Sequence, residues 1–279
     1  MTNNSIWVVG AAGRLGKALI ELLKKNTAYK IIATDRDVDI TNMAAVSQAA
    51  DIYRPAIIIN CAGIPDVEFC ESSVVEAFKV NALGARNLAA AARSHNAKII
   101  QPSTDDIFNG YSEGVHTEFD MPVPITVYGK SKLAGENFVR ELNPKHLIIR
   151  SSWVYGAGTS GFFADVLEKG KNNIPFSVAG NDFSTPTNAM ELARVIIELM
   201  NKTEYGIYHA SCEGKCSRYE FAKAILANMG YDTNLVTEVM NEKKTSTVLE
   251  NLMMKMTGIC EMPKWEDALA DYIKTIKEA

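Results

Sequence analysis

The stretch SIWVVGAAGRLG, residues 5–16, decides the fold. Its first half, Ser5 to Gly10, is a short apolar run that predicts a strand. Its second half, Gly10-Ala-Ala-Gly13-Arg-Leu-Gly16, leads into an amphipathic stretch from Lys17 to Lys25 that predicts a helix. Strand, glycine turn and helix in this order have a physical use. Glycines let the backbone approach a pyrophosphate closely, and the helix N-terminus offers it free N–H groups and the positive end of a dipole. Lys30 to Thr34 reads as a second strand ending at Asp35, about 20 residues beyond the turn, where a carboxylate accepts a bond from an adenine ribose 2′-OH. Arg36 follows directly, and a guanidinium there suits a 2′-phosphate, so NAD and NADP both fit.

Outward from this start the alternation repeats. Asp39-Ile-Thr leads into a helix with Thr41 as its expected N-cap, and Pro55 precedes a third strand, Ala56 to Ile59. Asn60-Cys-Ala-Gly63 closes that strand with small residues, which suits either the close approach of a ligand or a tight turn. One long helical region runs through Ala92, and Ala97 to Gln101 is the fourth strand. It leads into Ser103-Thr104-Asp105-Asp106, hydroxyls and carboxyls at a strand's C-terminal end, where open α/β sheets bind ligands. A loop to Val127, a helix from Tyr128 to about Leu142 and a fifth strand, Leu147 to Ile149, follow.

The expected fold class is therefore α/β: a Rossmann-type doubly wound parallel sheet with a smaller C-terminal substrate-binding lobe. Beyond Arg150 the pattern loosens. Helices are expected over Phe162–Gly170, Ala189–Asn201 and Trp265–Lys277, and a strand over Ile207–Ala210. Ser217-x-x-Glu220 is a capping box opening a helix to Met229. Residues 1–155 plus about 187–212 are expected to form the dinucleotide-binding domain, and about 156–186 with 213–279 the lobe.

Composition bounds the partners. With 279 residues, 47% of them apolar, the chain can bury a substantial core. Twenty-nine basic against 33 acidic residues give a net charge of −4 with no basic run, so no nucleic-acid partner is expected. The N-terminus has no basic, apolar leader and no segment is long and apolar enough for a membrane, so a cytoplasmic protein is expected. Five cysteines, an odd number, predict reduced thiols. No metal site is expected, since Cys212 and Cys216 have only His209 nearby, and His95, His116, His146 and His209 are scattered.

Tyr128 and Lys132 stand four residues apart, on one face of a helix. An ammonium there favours the phenolate and makes the tyrosine a usable proton donor and acceptor. Taken alone, the pair also reads as an amphipathic helix with a surface lysine. Two further patterns are decoys. Gly156-Ala-Gly158-Thr-Ser-Gly161 fits the dinucleotide pattern literally, with Asp182 about 20 residues later, and pattern matching alone would prefer it to Gly10–Gly16. It heads a single strand, whereas Gly10 heads a series, which leaves it holding substrate phosphates or turning the chain. Gly110-Tyr-Ser112-Glu-Gly114 matches a hydrolase elbow, but Pro122 and Pro124 deny it the helix that must follow.

With the glycine turn, Thr104 and the Tyr128/Lys132 pair in this order, the chain resembles the extended short-chain dehydrogenase/reductase superfamily and, within it, the dTDP-4-dehydrorhamnose reductase family. The resemblance spans nearly the whole chain. It rests on Gly10 to Gly16, Asp39-Ile-Thr41, Asn60-Cys-Ala-Gly63, Ser103-Thr104-Asp105, YGKSKLAGE at 128–136, RSSWVYG at 150–156 and Pro263-Lys-Trp265-x-x-Ala268-Leu. It implies hydride transfer from NADPH or NADH to the C4 ketone of a nucleotide-linked 4-dehydro-6-deoxyhexose. Tyr128 would supply the proton, Lys132 would hold the nicotinamide ribose and lower the tyrosine's pKa, and Thr104 would bond the carbonyl oxygen.

The resemblance also implies cofactor contacts at Gly10, Gly13, Arg14, Leu15, Gly16, Asp35, Arg36, Asp39, Ile40, Cys61, Ala62 and Gly63, besides Tyr128 and Lys132. Sugar contacts fall at Val67, Thr104, Asp105 and Trp153. The chain departs from the family where Asp106 and Asn109 replace the usual Tyr and Asp, and where the segment Asn241 to Leu249 lacks the Arg-Pro and Asn-Ser of the family motif. Asp106 motivates one alternative, a sugar-nucleotide dehydratase or epimerase. Another is a non-catalytic, NADP-binding regulatory subunit. A homodimer is left open.

Overall fold

The computed structural model describes residues 4–25, 28–111, 114–158 and 160–278. Met1 to Asn3, part of the leader reading, and Ser112 of the hydrolase-like pattern lie outside the described residues. Strand β1 (Ser5–Val9) is buried at every position. Its alternation puts Ile6 and Val8 in one apolar cluster and Trp7 and Val9 in another, so both faces of the sheet are covered.

Around β1 stand β2 (Lys30–Thr34), β3 (Ile57–Asn60), β4 (Lys98–Thr104), β5 (His146–Ser151) and β10 (Gly206–His209), in the order β10-β5-β4-β3-β1-β2. All five pairings are parallel. One face carries α1 (Arg14–Lys24) and α8 (Ala189–Met200); the other carries α2 (Met43–Tyr53), α5 (Ala85–Ser94) and α6 (Val127–Leu142). The chain leaves β1 toward β2 and returns to β3 on the opposite side, which opens a crevice at the strands' C-terminal ends. The doubly wound sheet is as the sequence predicts; α8 packs on α1 and β10 pairs with β5.

Three local expectations change. The helical region through Ala92 is four pieces: α3 (Val67–Ser72), α4 (Val74–Phe78), a π-helical turn at Lys79–Gly84, and α5. The wide turn buries Asn81, and Gly84 lets the Ile40 side chain in; a Cβ there would stand 2.5 Å from Ile40 Cδ1. The N-cap of α2 is Asn42, whose Oδ1 accepts from the N–H groups of Ala44 and Ala45, while the Thr41 hydroxyl donates to Asp39. Strand β4 extends through Thr104 because β5 pairs with it to that residue.

The remaining elements are β6 (Val154–Tyr155), α7 (Phe162–Lys171), β7 (Phe176–Ala179), β8 (Asp182–Ser184), β9 (Thr187–Asn188), β11 (Cys216–Ser217), α9 (Arg218–Met229), β12 (Val236–Val239), β13 (Thr245–Ser246), α10 (Leu252–Thr257) and α11 (Trp265–Glu278). They make small sheets: β11-β8-β13, β12-β7 and β6-β9. The expected capping box is formed, with the Ser217 hydroxyl accepting from the Glu220 N–H and the Glu220 carboxylate from the Ser217 N–H.

Candidate active site

Strand β4 delivers Thr104 to the crevice, and the chain turns at once through Asp105–Ile107. The Thr104 hydroxyl accepts from the Asp106 N–H at 3.2 Å. Helix α6 starts against that turn, capped by the Thr126 hydroxyl, which accepts from the Gly129 N–H at 2.9 Å. Any Cβ at Gly129 would collide with the Asp106 carbonyl oxygen, so glycine there lets the first turn of α6 lie on the Thr104 turn. That contact brings Tyr128 to Thr104.

Lys132 follows one helical turn later, and its Nζ donates to the Pro102 carbonyl at 2.8 Å. The lowering of the tyrosine's pKa that the sequence expects from Lys132 is outweighed in the resting site. Burial, followed by the Asp106 charge, pushes the Tyr128 phenol up, with a hydrogen bond from Thr104 opposing. Lys132 itself is pushed down to about 8 by burial, with Glu136 opposing. Glu136 lies a further turn along α6 and forms a buried pair with Arg150, Oε2 to guanidinium nitrogen at 2.9 Å. Glu136 thus pairs with the guanidinium of Arg150 and acts on the Lys132 ammonium through its charge alone.

A cavity of about 360 Å³ opens over Tyr128 and Thr104. Val67, Asp105 and Trp153, the expected sugar contacts, all line it. Asp105 is more constrained than its sequence suggested: one carboxylate oxygen accepts from the hydroxyls of Ser184 and Thr247. Trp153 holds φ at 41°, an uncommon conformation for a bulky residue, and its ring lies beneath the guanidinium of Arg218. The buried hydroxyls of Ser103 and Ser151 also line the cavity and have no partner among the described residues, so a ligand can satisfy them.

On the other side of the crevice the glycine turn is preformed. Gly10 has φ 74°, and a Cβ on it would stand 2.5 Å from the Ala62 nitrogen, so the turn rests on the backbone of Cys61 and Ala62. Gly13 caps α1 without a side-chain bond, which leaves the first-turn N–H groups of Arg14, Leu15 and Gly16 for a ligand. Beside it, a shallow cavity of about 600 Å³ is lined by Ala11, Lys17, Thr34, Asp35 and Asp37 among others. These residues fit a dinucleotide. Asp35 and Arg36 are exposed at the end of β2, Asp39 binds Thr41, and Ile40 is buried with its carbonyl accepting from Asn87. The Arg14 side chain crosses to the second glycine loop, where it donates to the carbonyls of Val154 at 3.2 Å and Ser160 at 2.9 Å.

Three contributors went unremarked in the sequence. Asn81 is the clearest, since its amide bonds both backbone groups of Ile64 and the Ser131 hydroxyl, tying the β3 loop to α6. Its signal was a polar side chain inside an apolar helical run. The Glu136–Arg150 pair is written in two separate motifs, and nothing in either announces the partner. Arg218 stands inside the capping box, directly after Ser217, where only the tertiary position of β11 aims it into the cavity.

Residues 4–278 match the family model described as RmlD substrate binding domain. The dTDP-4-dehydrorhamnose reductase of Aggregatibacter actinomycetemcomitans is 38% identical over 225 residues, 78% of this chain and 76% of that one. The crystal structure of a dTDP-4-dehydrorhamnose reductase from Clostridium acetobutylicum superposes with a TM-score of 0.94 at 38% identity, covering 98% of this chain and 99% of that one. That of the Bacillus anthracis enzyme in complex with NADP gives 0.93 at 35% identity, over 99% of each chain. With this match over nearly its full length and the Thr104, Tyr128 and Lys132 arrangement in place, the chain belongs to the dTDP-4-dehydrorhamnose reductase family.

Proposed function

We propose that this protein is an NADPH- or NADH-dependent reductase of the C4 ketone of a nucleotide-linked 4-dehydro-6-deoxyhexose, a reaction of deoxysugar synthesis. The observation that carries the reading is the convergence of the Thr104 hydroxyl and the Tyr128 phenol on one cavity, with Lys132 a turn behind. When bound, the nicotinamide cofactor supplies the hydride. Gly10 to Gly16 and the α1 N-terminus hold its pyrophosphate, Cys61 to Gly63 line its path, and Asp35 and Arg36 meet the adenine ribose. The Thr104 hydroxyl orients the ketone oxygen and stabilises the charge that develops there.

Tyr128 gives its proton to that oxygen. Burial keeps the phenol protonated at neutral pH, so it is an acid in the resting site and yields its proton only to a base as strong as the forming alkoxide. Lys132, charged below about pH 8, then stands near the new phenolate and favours its formation. Val67, Asp105 and Trp153 hold the sugar ring. Residues 1–155 with about 187–212 serve as the dinucleotide-binding domain, and about 156–186 with 213–279 as the substrate lobe. Five free cysteines fit a reducing, cytoplasmic setting.

The test is loss of NADPH or NADH absorbance with dTDP-4-dehydrorhamnose, one equivalent per ketone reduced. Tyr128→Phe should lower turnover by roughly 10²- to 10⁴-fold while cofactor affinity stays within twofold. Retained turnover in that variant would refute the proton-donor role. Asp106 favours a second reading, because its carboxyl, pushed up to about 7 by burial and then Asp105, is a second acid beside Tyr128. A dehydratase or epimerase would form product without net consumption of cofactor. A non-catalytic subunit would behave alike with Tyr128 or Phe.

A further inference from the structure

Arg218 opens α9, and the capping box fixes the backbone on either side of it. Its guanidinium lies over the Trp153 ring, 3.6 Å from the centroid, with the Phe162 ring at 4.9 Å. Its one ion-pair partner among the described residues is Asp182, 3.5 Å from Nε, and that contact leaves the terminal nitrogens free of a bidentate carboxylate. A guanidinium stacked on one face, pinned at Nε and lining the cavity of Tyr128 and Thr104 is preorganised to grip an oxyanion with two nitrogens.

The other cations near this cavity are engaged. The Arg14 fork serves the carbonyls of Val154 and Ser160. Lys243 and Lys244 lie in the segment that lacks the family's Arg-Pro, and they turn elsewhere: Lys243 lies over the Tyr111 ring and Lys244 over the Phe183 ring. On β8, Asp182 and Ser184 face Arg218 and Asp105, so Phe183 between them faces the opposite side of the β11-β8-β13 sheet. There Lys244 lines a separate cavity with Lys215 and Tyr111. Of the nearby carboxyls, Asp105 is held by Ser184 and Thr247, Asp182 accepts from Thr245 with one oxygen and pairs with Nε through the other, and Asp106 acts on Arg218 through its charge without an ion pair among the described residues.

We propose that Arg218 captures the diphosphate of the sugar nucleotide. The inference rests on the reductase reading of the same cavity. A pyranose whose C4 meets Tyr128 carries its diphosphate on C1, one ring width away, and Arg218 shares the cavity with Tyr128. Arg218 thereby selects nucleotide-linked sugars over free ones.

Calorimetric titration of thymidine diphosphate, with uridine diphosphate in parallel, and of NADPH into wild type, Arg218→Gln and Arg218→Lys tests this. Loss of the fork should weaken nucleoside diphosphate binding by about 10- to 100-fold in the Gln variant, with the Lys variant in between and NADPH affinity within twofold. Unchanged diphosphate affinity in Arg218→Gln overturns the proposal. So does a fall in NADPH affinity alone, or a wild type that binds neither diphosphate. Should Arg218→Gln lose both ligands by misfolding, Arg218→Lys decides by the same criterion: weakened diphosphate binding with intact NADPH binding supports the proposal, and unchanged binding overturns it. Failure of the reductase reading is seen separately, as wild type that binds the diphosphate yet consumes no NADPH with any 4-keto sugar nucleotide.

Discussion

Of the two glycine loops, Gly156–Gly161 fits the G-x-G-x-x-G dinucleotide pattern literally while Gly10–Gly16 spaces its glycines as G-x-x-G-x-x-G, and each opens a helix whose glycine N-cap has no side-chain bond. Their surroundings differ in kind. The first lies between β2 and β3 of the central sheet, held by hydrogen bonds from the Ala11 N–H to Thr34 O and from the Gly13 N–H to Gly10 O, and it leaves the α1 N-terminus open. The second follows the two-residue strand β6 and is held by the Arg14 side chain; a Cβ on Gly161 would stand 2.5 Å from an Arg14 terminal nitrogen. A cation thus occupies the α7 N-terminus, the place a phosphate would need. Of the two roles the sequence allowed this loop, turning the chain is the one that fits. The pattern specifies backbone shape, and the neighbours decide whether the shape is a site.

This contrast breaks most readily at Gly10. Gly10→Ala requires a side chain at φ 74° and 2.5 Å from the Ala62 nitrogen, so a loss of about 3 kcal/mol or more and of measurable NADPH binding is expected in calorimetry and thermal melts. Normal NADPH affinity in that variant would remove the distinction between the loops.

The loops also differ in the charges around them, because the first binds through backbone while the second borders a cavity containing Asp106. Asp106 faces Asp105, Asp182, Arg218 and the Thr104 hydroxyl. Its folded pKa of about 7 lies above the unfolded value near 4, so the folded state binds the extra proton between them, and stability falls as pH rises through that window. Asp106→Asn should therefore gain stability over wild type by on the order of 2 kcal/mol at pH 8 and almost none at pH 4. Denaturant melts at both values check it, and a pH-independent difference would count against the assignment.

Smaller effects sharpen the second loop. Arg14→Ala should cost about 1 kcal/mol in urea melts, through two lost hydrogen bonds to carbonyls, and should raise KM for the sugar nucleotide more than for NADPH. In a double-mutant cycle, Arg14→Ala and Gly161→Ala should couple by roughly 0.5–1 kcal/mol, since the new methyl collides with a group the other variant removes. Strict additivity would separate the loop from Arg14.

Much of this was legible in the chain. The apolar run Ser5–Val9 is readable because both of its faces are buried, and the Tyr128 helix because Thr126 caps it next to Pro124. The break at Lys79–Gly84 was not, since the Val- and Ala-rich stretch keeps a helical period while Asn81 satisfies the β3 loop through tertiary bonds. The protonation of Tyr128 was hidden for a similar reason. A spacing of four residues shows that Lys132 shares its helix face, but not that burial and Asp106 outweigh it. Arg218 needed the whole lobe to be placed.

The closing position of β10 and α8 has a consequence for synthesis. On the ribosome, β5 emerges long before Gly206–His209, and Leu147 and Ile149 emerge before Leu192 and Ile196, which cover them. A nascent chain that ends before Ala189 presents an unpaired parallel edge and an uncovered apolar sheet face, both prone to pairing with other chains. A pause in translation within that interval would lengthen the exposure of that edge and face until the last strand arrives.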